Sequence, residues 1–161
     1  MYIYEPVYGN HRSLELSAEE IKTKHEDFKI NSIADTTAVI TDIALNTLKI
    51  QNNVEICTYI IFVDSEQKIF GCSKVSHGTR TTMQQNVKNI LLRAIMTEAE
   101  KVFLVQNNPT NIAVPSKTDI SQTKKIKKAL KMADIKLLDH LIINQDGNVY
   151  SFRNSDLKVF P

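Results

Sequence analysis

Five polar side chains lie close together in one short stretch, KVFLVQNNPTNIAVPSKTD, residues 101–119: Gln106, Asn107, Asn108, Ser116 and Asp119. The stretch begins as a buried strand and breaks at Asn108-Pro109. It restarts as a helix at Ser116-x-x-Asp119. Strand, polar elbow and capped helix make a frame for chemistry, yet the elbow offers only neutral amides. Amides carry donors and acceptors that suit an extended peptide backbone. They are poor zinc ligands, because an amide oxygen brings neither charge nor a strongly basic lone pair. Asp119 alone cannot hold an ion, and without one there is no Lewis acid to activate water. Ser116 and Asp119 also have a structural reading. A serine N-cap contributes about 0.5–2 kcal/mol over alanine, and an acid in the first turn adds a few tenths to about one. Capping is sufficient to explain both.

Other reactive side chains are scattered. His11, His25, His77 and His140 lack metal-ligand spacing. His77 precedes a Gly-Thr bend and His140 is placed at a strand start, so both are expected to be structural or surface residues. Cys57 and Cys72 form no Cys-x-x-Cys pair and read as buried thiols in a reducing cytosol. Lys124, Lys125, Lys127, Lys128 and Lys131 crowd one helix face. With no aromatic residues interleaved for base stacking, they read as a solvated face.

The chain that must position these residues has 161 residues, enough for one domain with a substantial core. A formal charge of +2 gives no electrostatic signature of a nucleic-acid or membrane partner. No apolar run reaches the ~18 residues of a membrane span, and the N-terminus lacks signal-peptide order; a cytoplasmic location is expected. Residues 1–29 are polar and mixed and read as an extension, with Ser17-Ala-Glu-Glu20 as a capping box opening a short helix. Ile33, Ala34, Val39, Ile40, Ile43, Ala44 and Leu48 recur at helical spacing. Cys57–Val63 and Ile69–Val75 form a hairpin across the turn 64–68. Met83, Val87, Ile90, Leu91, Ala94 and Ile95 make one helical stripe. A short strand at Val102–Val105, a helix from Lys117 to Met132, a strand at 135–143, an Asp-Gly turn and a last strand at 149–152 complete the order. Such an order predicts an α/β (α+β) fold, a mixed sheet flanked by helices.

Ordered phrases within this pattern resemble a known family. "FVDSEQKIF", "HGT" at 77–79, "LLRAIMTEAEKVFLV", "PSKTDISQTKKIKKALKMADIKLLDHLII" and "GNVYSF" follow one another as in the RadC-like branch of the JAB/MPN metalloprotease fold, a cytidine-deaminase-like architecture, over about residues 30–153. The resemblance implies a zinc site built from His-x-His, seven residues, Ser-x-x-Asp, and a glutamate on an upstream strand. Here the spacing persists as Gln106-x-Asn108, seven residues, Ser116-x-x-Asp119. Both ligand histidines are replaced. Counting back from Asp64 puts the glutamate position at Ile56, with Glu55 one residue off, which in a strand means the opposite face unless a bulge corrects it. The counterpart of His140 coexists with an intact metal site in the family, so His140 is not expected to replace a ligand. Members of the family often carry a helix-hairpin-helix domain ahead of the JAB domain, and residues 1–29 are too short for one.

The expected organisation is thus an extension, 1–29, and a RadC-like JAB/MPN domain, 30–161. Its expected role is protein binding or scaffolding, by a partner or self-association, with no catalytic residue, metal or cofactor. The former cleft, Gln106, Asn107, Asn108, Ser116 and Asp119, remains as a possible binding surface. One alternative is a metal-dependent hydrolase with rearranged ligands Glu55, Asp119 and His77, binding zinc. Another is a DNA-associated module using the lysine helix.

Overall fold

A computed structural model describes residues 1–25, 28–81, 83–110, 112–155, 157, 159 and 160. The side chains of Arg12, Ile33 and Ala34 lie outside that description, including the first two residues of the expected helical stripe.

The centre is a mixed seven-stranded sheet in the order β2-β1-β4-β3-β5-β6-β7. Its strands are β1 (Tyr2–Tyr8), β2 (Leu14–Glu20), β3 (Cys57–Val63), β4 (Ile69–His77), β5 (Lys101–Asn108), β6 (Lys136–Asn144) and β7 (Val149–Ser151). Helices α1 (Ile33–Asp42), α2 (Val87–Met96) and α3 (Lys117–Met132) cover it. The central runs Ile60–Val63 of β3 and Val102–Val105 of β5 are apolar without alternation because both their faces are buried. Alternate residues separate into two cores. Ile60, Phe62, Val102 and Leu104 join Ile90 and Ala94 of α2 and Ile126 and Leu130 of α3. Ile61, Val63, Phe103 and Val105 join Ile40 of α1 and the turn behind it. β5 and β6 run parallel through α3, while β3 pairs antiparallel with β4 and β5. Among the described residues, no helix is long and apolar enough to cross a membrane.

Several sequence expectations need correction. Ser17–Glu20 opens no helix; it lies in β2, which forms a hairpin with β1 from Tyr2↔Glu20 to Tyr8↔Leu14. The tertiary pairing overrides the local Ser-x-x-Glu signal. The extension is therefore part of the sheet: β1 lies parallel to β4 at Tyr2↔Gly71 and Ile3↔Cys72. Gly71 permits that approach, since a Cβ there would sit 2.8 Å from the Tyr2 carbonyl oxygen and collide with the Tyr4 ring.

The first helix is α-helical only to Asp42 and ends in one wider turn, Ile43–Thr47, with Leu48 N donating to Ile43 O at 2.9 Å. α2 starts at Val87 because Asn86 caps it, accepting from Asn89 N; Met83 lies before the helix, and Ile95 is 55% exposed. β5 runs on to Asn108, so the three amides belong to a strand and not to an elbow. His140 lies in the middle of β6, not at its start.

Candidate functional site

The end of β5 and the start of α3 meet at a surface depression of about 350 Å³, whose walls include Ile56, Met83, Gln106, Asn108, Ser116 and Asp119. Strand alternation selects them. Gln106 and Asn108 share the face of Leu104, toward α3. Asn107 takes the opposite face, with Phe103 and Val105.

Asn107 does not line the depression. Its side chain is 1% exposed; Oδ1 accepts from Cys57 N at 2.6 Å and Nδ2 donates to Asn53 O at 3.2 Å and Glu55 O at 3.0 Å. It ties the segment entering β3 to β5. The register at Ile56, where the family resemblance implies a glutamate, is equally plain. Ile56 extends the β3–β4 ladder, donating to Thr79 O at 3.0 Å and accepting from Gly78 N at 2.8 Å, and its side chain lines the depression. Glu55 is exposed and does not line it.

A chain of hydrogen bonds crosses the floor. Gln85 Nε2 donates to Thr58 Oγ1 at 2.7 Å and to Gln106 Oε1 at 3.0 Å. Gln106 Nε2 donates to Asp119 Oδ1 at 3.3 Å. Asp119 Oδ2 accepts from Ser116 N at 2.8 Å and Ser116 Oγ at 2.6 Å, while Ser116 Oγ accepts from Asp119 N at 3.1 Å. These last contacts form a full capping box at the start of α3. Asn108 is turned to its own loop, donating to Ile112 O at 2.8 Å and accepting from Thr110 N at 3.1 Å. Gln85 had no signal in the sequence, because its partners on β3 and β5 are remote along the chain.

His140 sits behind α3 rather than in the depression. Thr123 Oγ1 donates to Asp119 O at 2.7 Å and lies 2.7 Å from His140 Nδ1. With its one hydrogen directed to that carbonyl, the threonine accepts from Nδ1–H, which fixes the tautomer. The ring stacks on Phe152 at 4.9 Å and 5°. Burial drives its pKa down to about 4, opposed by the negative charge of Asp119. Beside it, burial raises the Asp139 carboxyl, against the lowering effect of hydrogen bonds from Ser151 Oγ (2.5 Å), Arg153 N (2.9 Å) and His140 N (2.7 Å).

His77 is exposed at the end of β4 and pairs with Cys57, whose side chain belongs to the α1-side core. Glu55, His77 and Asp119 are therefore not brought together. Among the described residues no three His, Cys, Asp or Glu side chains are placed to hold a metal ion. A zinc ion does not fit the donor set of the depression: two amides, an isoleucine, and one carboxylate already bonded by Ser116 and Gln106.

On α3, Lys124, Lys125, Lys128 and Lys131 are exposed. Lys127 departs from the expected solvated face: it is half-buried, donates to Val159 O at 2.6 Å, and lies 4.6 Å from the centre of the Phe160 ring.

A two-faced mixed sheet, with a polar depression where a strand end meets a capped helix, defines a JAB-type α/β domain. The match to a family model is direct: the RadC-like JAB domain covers residues 30–157, and the chain belongs to this family. Among curated relatives it is 32% identical over 97 residues to a UPF0758 protein of Nitrosococcus oceani, covering 60% of this chain and 43% of that one. It is 32% identical over 93 residues to one of Janthinobacterium sp. (58% and 41%) and 33% identical over 92 residues to one of Paraburkholderia xenovorans (57% and 36%). The chain thus spans less than half the length of each of these relatives. The β1–β2 hairpin lies outside the residues matched by the family model.

Proposed function

We propose that this chain is a RadC-like JAB domain that has lost hydrolysis and acts in protein binding or scaffolding. The observation that carries the reading is the commitment of Asp119. Both of its carboxylate oxygens accept hydrogen bonds from Gln106 and Ser116, where the family resemblance implies a metal ligand. Ile56 supplies no base where the resemblance implies a glutamate, so neither water activation nor proton transfer to a leaving amine has a group to perform it. A protein partner, or a second copy of the chain, is the expected ligand. The buried thiols of Cys57 and Cys72, pushed up to about 11 and 12 by burial, suit a reducing cytosol and are poor nucleophiles.

The test is zinc content after purification without chelators, combined with peptidase assays with and without chelator. The reading expects zinc far below one per chain and no chelator-sensitive cleavage. Near-stoichiometric zinc lost on Asp119→Ala, or cleavage abolished by chelation, overturns it. A second reading, a nucleic-acid-associated module, draws on the exposed lysines of α3. It requires DNA binding that weakens steeply with salt, and no binding at low salt removes it.

A further inference from the structure

Among the described residues, β2 ends the sheet and has a neighbour on one side only. The hairpin's bonding parity shows which of its backbone groups face outward. Ile21 N donates to Met1 O at 2.9 Å and Gly9 N donates to Ser13 O at 2.8 Å. Odd-numbered residues of β2 therefore exchange bonds with β1. By the alternation of an antiparallel ladder, the amides and carbonyls of Leu14, Leu16, Ala18 and Glu20 point away from the sheet. Such a row is a template for another strand.

The side chains separate by the same parity. Leu14, Leu16 and Ala18 lie opposite Tyr8, Pro6 and Tyr4; this face is open at the hairpin end, with Tyr8 81% and Leu14 42% exposed, while Leu16 and Pro6 are half-buried and Tyr4 packs on Phe62 and Phe70. Glu15 and Glu19 lie on the other face, with Glu5 of β1 between them in the register. β2 carries three glutamates and no lysine or arginine. Symmetric pairing of two β2 edges matches odd residues with odd, so Glu15 and Glu19 of both copies would crowd one face, and like charges there are destabilising. The same carboxylates favour a strand of opposite sign.

We propose that β2 is a docking edge for an extended cationic segment of a protein partner, in which lysine or arginine alternates with apolar residues. Its backbone bonds to Leu14, Leu16, Ala18 and Glu20. Its cations lie beside Glu15 and Glu19, and its apolar side chains beside Leu14 and Leu16. This names the partner chemistry for the binding role proposed above, and rests on that reading. The edge is separated from β3 by β1 and β4, and so from the depression.

The experiment uses the full chain and two labelled peptides, one alternating valine with lysine and one alternating valine with glutamate. Fluorescence anisotropy gives affinity, and amide hydrogen exchange gives location. The lysine peptide binds at least about tenfold more tightly than the glutamate peptide and slows exchange at Leu16 and Ala18. Ala18→Pro deletes one outward N–H while leaving the bonds to β1, and weakens binding by about tenfold; circular dichroism checks that the fold is kept. Glu15→Lys combined with Glu19→Lys, on the β2 face away from the core beneath Tyr4, reverses the preference between peptides. Equal binding of the two peptides, absence of binding, or full affinity in Ala18→Pro overturns the proposal. A dimer in sedimentation that Ala18→Pro dissociates assigns the edge to a second copy and overturns it as well. Chelator-sensitive peptide cleavage would instead overturn the binding-module reading, and the Ala18→Pro comparison would still report on the edge, so the two failures are distinguishable.

Discussion

At the end of β5 the polar side chains are bonded within the chain: Gln106 bonds Gln85 and Asp119, Asn107 holds the entry to β3, and Asn108 closes its own loop. At the far rim β2 does the reverse, with outward backbone groups and an exposed Leu14. The first region, where the family resemblance implies a metal site, uses its side chains to hold the fold together. The second lies outside the family match and offers groups that the fold itself does not use. The proposed docking edge and the depression thus occupy different parts of the molecule, and substitutions in the two places should move different observables.

The largest effect should come from reversing the first region. Gln106→His together with Asn108→His puts two imidazoles beside Asp119. Zinc affinity measured by calorimetry should rise by about a thousandfold or more, about 4 kcal/mol; no gain would mean the frame itself has been lost. Next is the histidine behind α3. His140 has its pKa lowered from 6.5 to about 4 in the fold. The unfolded chain therefore binds the proton first as pH falls, and its stability contribution is complete above pH 6.5 and is lost progressively toward pH 4. The loss is about 3 kcal/mol. Urea titrations at pH 7.5 and 5 should show this slope, and His140→Gln should flatten it. Asp139, raised by burial, acts with the opposite sign.

Asn107→Ala leaves a buried amide and two carbonyls without their partner and should cost about 2 kcal/mol in urea unfolding. Ser116→Ala should cost about 1 kcal/mol through the cap alone. At the rim, Glu15→Gln with Glu19→Gln should move stability by less than about 0.5 kcal/mol. A larger loss there would erase the contrast between the regions.

Local signals made much of the fold legible. α3 begins and ends where its Ser-x-x-Asp start and apolar spacing place it, Lys117–Met132, and Cys57–Val63 and Gly147, at φ +81°, match their composition. What escaped was set by distant partners. Leu14-Glu15-Leu16-Ser17 alternates as a strand does, but the pairing with β1 that makes it one is not written in the segment itself, whereas Ser17-x-x-Glu20 is a local helix-start signal. Met83 continues the stripe of α2 by spacing, yet the Asn86 cap fixes the start after it. At the site the residue types stand in the sequence, and counting back from Asp64 points to Ile56, but a bulge could have turned Glu55 inward and only the strand pairing places Ile56 at the depression. The inward turn of Asn107 and the part played by Gln85 depend on which strands meet.

The link from Gln85 through Gln106 to Asp119 also bears on descent. A lone histidine at position 106 would remove the amide that links Gln85 to Asp119, leaving Gln85 only its bond to Thr58, before a second imidazole existed to recruit an ion. On the reading proposed above, single-residue steps toward a metal site would weaken this linkage and gain no chemistry, which makes that route a valley that drift crosses with difficulty.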